Sequence, residues 1–309
     1  MRFSPAVGDP SGLERALAYV DAGPLASPAA DEIRDELAAH RFRPEWIWLA
    51  EDDGGEILAR ALWWGRSDSP QPLALDYLDV APDVADPASL GAALLVAGHA
   101  AFGSRPPYNL SLPSDWRAHP VIARTAGHRV AAGNLAGLTR EIERLRYEWT
   151  PEAGIAEPTG RLLFTEGTDE EFLDAFRRLT TGSLDVHTQR ELETTDPDAL
   201  ARKEMQFYLE CPGERSWWRL ARLPAGILVG LAIPSATPYH RNVGYVGVVP
   251  EWRGRGLIDD LLAEITRFHA AAGADRITAT TDTNNWPMAA AFDRAGYRVS
   301  EIRLVLEAP

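Results

Sequence analysis

The chain has 309 residues, a formal net charge of -14 and one cysteine. Its length fits two ordinary domains or one large one, its acidity in both halves disfavours a general nucleic-acid surface, and Cys211 alone excludes an intrachain disulfide, in keeping with a reducing, cytoplasmic setting. Hydrophobic residues at 45% and charged residues at 25% are ordinary for a globular protein, no run approaches the roughly 20 apolar residues of a membrane span, no apolar signal core follows Met1-Arg2-Phe3-Ser4-Pro5, and the seven histidines lack zinc-ligand spacing.

In chain order, the first half reads as strands at 46–50, 57–64 and 73–80 and a helix at 89–101. A short strand at 109–112, a helical turn at 120–126 and a strand over 128–131 follow. Leu138, Ile142 and Leu145 share one helical face, so 138–147 is expected to be helical. Pro151, Gly154, Pro158 and Gly160 mark 148–160 as irregular, which gives domains at 1–150 and 161–309 with a linker at 151–160. Thr168-Asp169-Glu170-Glu171 resembles a helix start for a helix through Leu179. The stretch 177–200 is polar and includes a loop of the kind that selects substrate, and 198–209 reads as another helix. Strands at 217–221, 227–233 and 243–249, a helix at 257–271, a strand at 276–280, a helix at 287–295 and a strand at 298–307 complete the chain. Short strands interspersed with helices imply an α/β fold.

The second half echoes the first. Ala126-Gly127-His128-Arg129-Val130 resembles Ala295-Gly296-Tyr297-Arg298-Val299, Tyr77 to Pro82 resembles Tyr245 to Pro250, and Ile57 to Ala61 resembles Ile227 to Leu231 in character. The offsets all fall within 168–170, so two copies of one fold are expected.

Residues 248–258 carry the chemistry. A β-branched run reaches Pro250, a turn with Arg253, Gly254, Arg255 and Gly256 follows, and Leu257, Ile258, Leu261, Leu262, Ile265 and Phe268 then mark one face of a helix. A strand, a glycine-rich turn and a helix N-terminus form a cradle for phosphate, where amides, the helix dipole and arginines meet an anion.

This turn resembles the glycine loop of the GNAT superfamily, the Gcn5-related N-acetyltransferases, with Ile258 at the place of its usual final glycine or alanine. Asn285, Met288, Phe292, Gly296 and Tyr297 resemble the family's closing Asn–Ala–Tyr–Gly–Phe segment, matching it in identity at Asn and Gly. The resemblance implies tandem acyl-CoA N-acyltransferase folds, each a mixed central sheet flanked by helices. It implies acetyl-CoA, or another acyl-CoA, as co-substrate, with no metal. The backbone near Val248 would pair with the pantetheine arm, amides from Arg253 through Gly254, Arg255, Gly256 and Leu257 to Ile258 would receive the pyrophosphate, and Asn285 would lie against the pantetheine or carbonyl region; Asn285 also reads as a plain helix cap. The matching loop of the first copy holds Asp83, Asp86 and Pro87 and no glycine, so a conventional CoA site is not expected there.

The family's usual thiolate-protonating tyrosine is replaced by Phe292. Tyr245, His240 and Asp282 are the candidate catalytic residues. Each has a plainer reading: Tyr245 as a packing residue, His240 as a surface histidine, and Asp282 as a turn cap. Trp217, Trp218 and Trp286 read as core or cleft-wall residues. The expected activity is transfer of an acetyl group to a primary amine of a small-molecule acceptor, without nucleic-acid or membrane partners. The alternative is a noncatalytic acyl-CoA- or metabolite-binding protein, with a dimerisation module as a third reading. Monomer and homo-oligomer both fit the sequence.

Overall fold

A computed structural model describes residues 1–7, 10–20, 23–25 and 27–309. Contacts divide the chain into two compact units, Met1–Glu143 with Glu301–Pro309, and Arg144–Ser300. The division falls at different residues from the 1–150, 151–160 and 161–309 expected from the sequence.

The first unit contains β1 (Arg2–Pro5), α1 (Pro10–Ala18), α2 (Ala30–Ala38), β2 (Ile47–Glu51), β3 (Ile57–Trp64), β4 (Ala74–Val80), α3 (Pro87–Phe102), β5 (Tyr108–Leu112) and α4 (Pro120–Leu135). Next comes β6 (Arg140–Trp149), whose residues from Arg144 onward belong to the second unit. That unit continues with β7 (Leu163–Thr165), α5 (Asp169–Thr181), α6 (Val186–Leu192), α7 (Pro197–Glu210), β8 (Arg219–Arg222), β9 (Leu228–Ala236), β10 (Arg241–Val248), α8 (Leu257–Ala271), β11 (Ile277–Asp282) and α9 (Trp286–Arg294). The last strand, β12 (Arg298–Glu307), pairs with β5 through Ile302 to Leu306.

Each unit is a mixed sheet. In the first, β1, β2, β3 and β4 run as antiparallel neighbours and β4 meets β5 in parallel. In the second, β7, β8, β9 and β10 are antiparallel neighbours, β10 meets β11 in parallel, and β11 pairs antiparallel with β6. The two units thus repeat one element order, three strands, a long helix, a strand and a helix, as the internal repeat predicts. Burial explains the persistence of the pattern. Ile33, Phe42, Ile47, Leu49 and Leu62 form a core in the first unit. Phe172, Phe176, Leu220, Leu231 and Ile233 form one under α5 and α7 in the second, and Leu262, Ile265, Ile277, Phe292 and Tyr297 form another under α8 and α9.

Two local readings are corrected. Residues 138–147 are not helical: β6 occupies Arg140–Trp149, and its Arg144 to Trp149 register against β11. Leu145, Tyr147 and Trp149 alternate onto the core around Phe292, and this period of two outweighs the helical spacing of Leu138, Ile142 and Leu145. The strand expected over 128–131 lies inside α4, where Ala126, Arg129, Ala132 and Gly133 are buried at helical spacing. The helix start at Thr168 is a full capping box: the Thr168 hydroxyl accepts from Glu171 N at 3.3 Å, and the Glu171 carboxylate accepts from Thr168 N at 2.9 Å.

Candidate functional site

The glycine turn joins β10 to α8. Gly254 and Gly256 have φ of +75° and +69°, left-handed values that L side chains rarely adopt. Gly256 occupies the N-cap of α8 and brings no side chain to it, so the helix opens without a side-chain cap, and of its first-turn amides Asp259 N donates to Gly256 O at 3.3 Å. The corresponding helix of the first unit differs. Asp86 caps α3 and its carboxylate accepts from Ser89 N at 3.0 Å. The Ser89 side chain, followed by that backbone hydrogen bond, holds the Asp86 carboxyl below its ordinary range. The anion position at α3 is therefore filled by the protein's own carboxylate.

Arginines shape the turn of the second unit. Arg253 donates from Nε to Val248 O at 3.0 Å and from Nη1 to Gly182 O at 2.6 Å, tying the end of β10 to the end of α5. Arg255 lies over the Trp252 ring, 4.2 Å from its centroid. Arg161, which the sequence did not single out, donates to Arg255 O and Gly256 O at 3.2 Å each and pairs with Asp260. Its signal was absent because it precedes the turn by more than ninety residues. Leu257 is buried and Ile258 packs beside it, anchoring the first turn of α8.

The strand ahead of the turn is only partly paired on its β11 side. The β10–β11 register covers Arg241↔Ile277 and Asn242↔Thr278. On the other side β10 continues along β9 to Val248↔Gly230, with an irregularity between Val243 and Tyr245. From Gly244 to Val248 the two parallel strands thus part, leaving an extended backbone edge beside Val248 that an extended ligand can pair with.

The other sequence-chosen residues are distributed unevenly. Asn285 stands at the N-cap of α9, where its carbonyl accepts from Met288 N and Ala289 N at 3.0 Å, while its side chain makes no cap bond. Asp282 is buried and fully engaged: Oδ1 accepts from Arg144 Nε at 2.8 Å and Oδ2 from Val186 N at 2.7 Å. Asp185 caps α6 through Thr188 N at 2.9 Å and accepts from Arg144 Nη2 at 2.9 Å. Tyr245 packs on Phe176 at 5.2 Å and Tyr208 at 5.5 Å between ring centroids, and burial raises its phenol above the ordinary range.

His240 is not brought to the turn. It precedes β10 and contacts Arg276, in an open cavity of about 360 Å³ with Thr237, Tyr239 and Asp275. Eight residues of extended chain separate it from Val248, roughly 27 Å at about 3.4 Å per residue. Burial, then Arg276, lowers the His240 pKa. Phe292 is buried, stacking on Tyr147 at 4.9 Å and tilting against Tyr297 at 5.3 Å. Trp218 is core and Trp217 lines α8 beside Phe268, but Trp286, expected in the core or a cleft wall, is 74% exposed at the first position of α9.

Comparison with known proteins agrees with this geometry. Residues 183–297 match the Acetyltransferase (GNAT) family, a span that contains the turn, the parted strands and α9. The chain carries a GNAT domain. Solved structures extend the likeness to the whole chain as a fold. A GCN5-related N-acetyltransferase from Sphaerobacter thermophilus is 18% identical over 90% of this chain and 85% of its own, with a TM-score of 0.52. A GNAT-family acetyltransferase from Colwellia psychrerythraea is 12% identical over the full length of both, at 0.51. A tandem GNAT protein from the clavulanic acid biosynthesis pathway is 17% identical over 100% of this chain and 99% of its own, at 0.50. No curated protein matched the chain. The fold is therefore a tandem GNAT fold, and its second copy carries the family's sequence signature. No helix among the described residues is long and apolar enough to cross a membrane.

Proposed function

We propose that this GNAT domain transfers an acetyl group from acetyl-CoA to a primary amine of a small-molecule acceptor, in the cytoplasm. The observation that carries the reading is the uncapped N-terminus of α8, framed by Gly254, Gly256 and Arg255, against the Asp86-capped terminus of α3. In this reading the amides from Arg253 to Ile258 hold the pyrophosphate. The free edge of β10 near Val248 pairs with the pantetheine arm, and Asn285 borders it from α9. No metal takes part.

The chain's own groups then have defined tasks. Backbone amides along β10 polarise the thioester carbonyl, and the cleft holds the amine nitrogen against it. Tyr245 walls the cleft, and Asp282 fixes α6 through Arg144 and Val186 rather than exchanging protons. His240 precedes β10 at the end away from Val248, and this reading gives it no part in the proton route.

Phe292 supports a second reading, a noncatalytic acyl-CoA-binding protein, because its buried ring has no proton for a departing thiolate. A thiolate leaves tolerably without assistance, which keeps transfer the preferred reading. Incubation with acetyl-CoA and an amine library, following free thiol and acceptor mass together, separates the two. Transfer predicts thiol release matched by a gain of one acetyl group on an amine. Tight acetyl-CoA binding with neither change supports the binding protein.

A further inference from the structure

His240, Arg241 and Arg276 meet at the end of β10 away from Val248, around an open cavity of about 360 Å³, a volume within the range of small-ligand pockets. The loop that carries His240 is tightly set. Thr237 Oγ1 accepts from Tyr239 N at 3.1 Å and from His240 N at 3.0 Å, and Thr237 N donates to His240 O at 2.8 Å. Asp275 and Arg276, between α8 and β11, line the same cavity. Arg276 divides its guanidinium: Nη1 pairs with Glu148 of β6 at 3.0 Å, and Nη2 donates to the His240 imidazole, 2.8 Å from Nδ1. Arg241 lies over the Trp217 ring, 4.8 Å from its centroid, and no carboxylate among the described residues pairs with it. Stacking occupies the face of a guanidinium and leaves its N–H edge free to donate. Arg241, Arg276 and Arg146 stand here against Glu148 and Asp275, a local excess of positive charge in a chain whose net charge is -14.

We infer that this cavity is a binding site for a doubly charged oxyanion of the phosphate class, held by the N–H edges of Arg241 and Arg276 with His240 as a third donor. The inference is independent of the acyl-CoA reading, because the site lies at the opposite end of β10 from the turn. Two guanidinium groups from different strands suit a tetrahedral anion, whereas one guanidinium already satisfies a planar carboxylate in a bidentate pair. Arg241 opens β10 and Arg276 directly precedes β11. Arg241↔Ile277 and Asn242↔Thr278 are the positions at which these strands are paired, so a bound dianion bridges them at the base from which they part. Inorganic phosphate and the phosphate monoester of a small metabolite share this chemistry.

Burial, then Arg276, lowers the His240 pKa, with Arg146 acting in the same direction and Glu148 and Asp275 against it. Together with Arg241 and Tyr239 these are the groups that face the imidazole from β6, β10 and the two loops. A dianion beside His240 offsets the guanidinium charge and favours the imidazolium. Anion binding therefore takes up a proton and tightens as the pH falls.

The test titrates the full chain calorimetrically with inorganic phosphate, glycerol 3-phosphate, sulfate and acetate, at constant ionic strength and without acetyl-CoA. Wild type is expected to bind phosphate or its monoester with a Kd of about 1 mM or tighter, and acetate at least about tenfold more weakly. Tighter binding of glycerol 3-phosphate assigns the site to a phosphorylated metabolite, and tighter binding of phosphate to the free ion; either order supports the site. Arg241→Gln and Arg276→Gln are each expected to weaken binding at least about tenfold, and Arg241→Lys to recover part of the loss. Folded Gly256→Asp should stay within about twofold of wild type, which separates this site from the turn before α8. Sulfate keeps its charge between pH 8 and pH 6, so it reports the proton: wild-type affinity should rise at least about threefold over that range and His240→Gln should stay flat. The inference is overturned if neither phosphate nor its monoester binds, if acetate binds as tightly, if both arginine variants bind as wild type does, or if Gly256→Asp loses as much affinity as they do. A flat sulfate profile in wild type overturns the part given to His240.

Discussion

His99 and His269 are both buried imidazoles, and burial is the first cause that depresses each pKa to about 4. His99 has neither ring nitrogen hydrogen-bonded and packs edge-on to Trp63, while His269 spends Nε2 on Asn242 O at 3.0 Å. A depressed base favours the native state above the unfolded value near 6.5 and loses that advantage as the pH falls toward 4. Each histidine should therefore remove about 2 kcal/mol of stability between pH 7 and pH 5. Urea unfolding at the two pH values should show His99→Leu losing about 2 kcal/mol less than wild type; an equal loss would show that His99 is not neutral in the fold. Glu204 works in the opposite sense. Its raised pKa makes the charged form costly, so stability is greatest below the unfolded value near 4.3 and falls as the pH rises through the folded pKa. Glu204→Gln should accordingly melt higher than wild type at pH 7, with the difference vanishing near pH 4. Nothing in the sequence marks Glu204, one acid among many on polar helices; its burial and the acids that face it appear only in the fold. Gly254 and Gly256 were readable because left-handed backbone leaves its trace in residue type.

The turn before α8 is built by residues from three places in the chain. Its own glycines set the path, Arg253 ties it to Gly182, and Arg161 clasps the carbonyls of Arg255 and Gly256. A brace of this kind holds amides in a geometry that a flexible loop would have to reach on binding. Arg161→Ala should weaken acetyl-CoA binding several-fold in calorimetry without altering the melting of the unit, whereas unchanged affinity would reduce Arg161 to a surface ion pair. The elements themselves were largely evident from periodicity: β3, α8 and β12 have the expected limits, because each buries a clean stripe or alternating face. Segments 128–131 and 138–147 were misread for one reason. A few apolar residues satisfy both periods, and pairing with a distant strand, here β11 for β6, is what decides. Residues 1–45 were given no elements, and β1, α1 and α2 fall there; their short amphipathic runs are weak signals without the sheet they cover.

Two copies of one fold have met different fates at a single position. The repeat was apparent in the sequence, as was the loss of glycine after Pro82, but the reason it matters is physical: Asp86 caps α3 with a carboxylate where α8 has Gly256 and no side-chain cap. In the proposed reading the second copy keeps the ligand site and the first serves as scaffold. The direct measurement is native mass spectrometry of the full chain over an acetyl-CoA titration, with wild type beside Gly256→Asp. The nearest neighbours, Arg161 and Asp259, are 3.9 Å or more from a new Cβ, so the added carboxylate does not crowd the core; the left-handed backbone strains any L side chain there, and folding of the variant is therefore checked alongside binding. The account predicts one acetyl-CoA per wild-type chain and none per folded Gly256→Asp chain at the same concentrations. Two equally tight sites in wild type, or undiminished binding in Gly256→Asp, would contradict it.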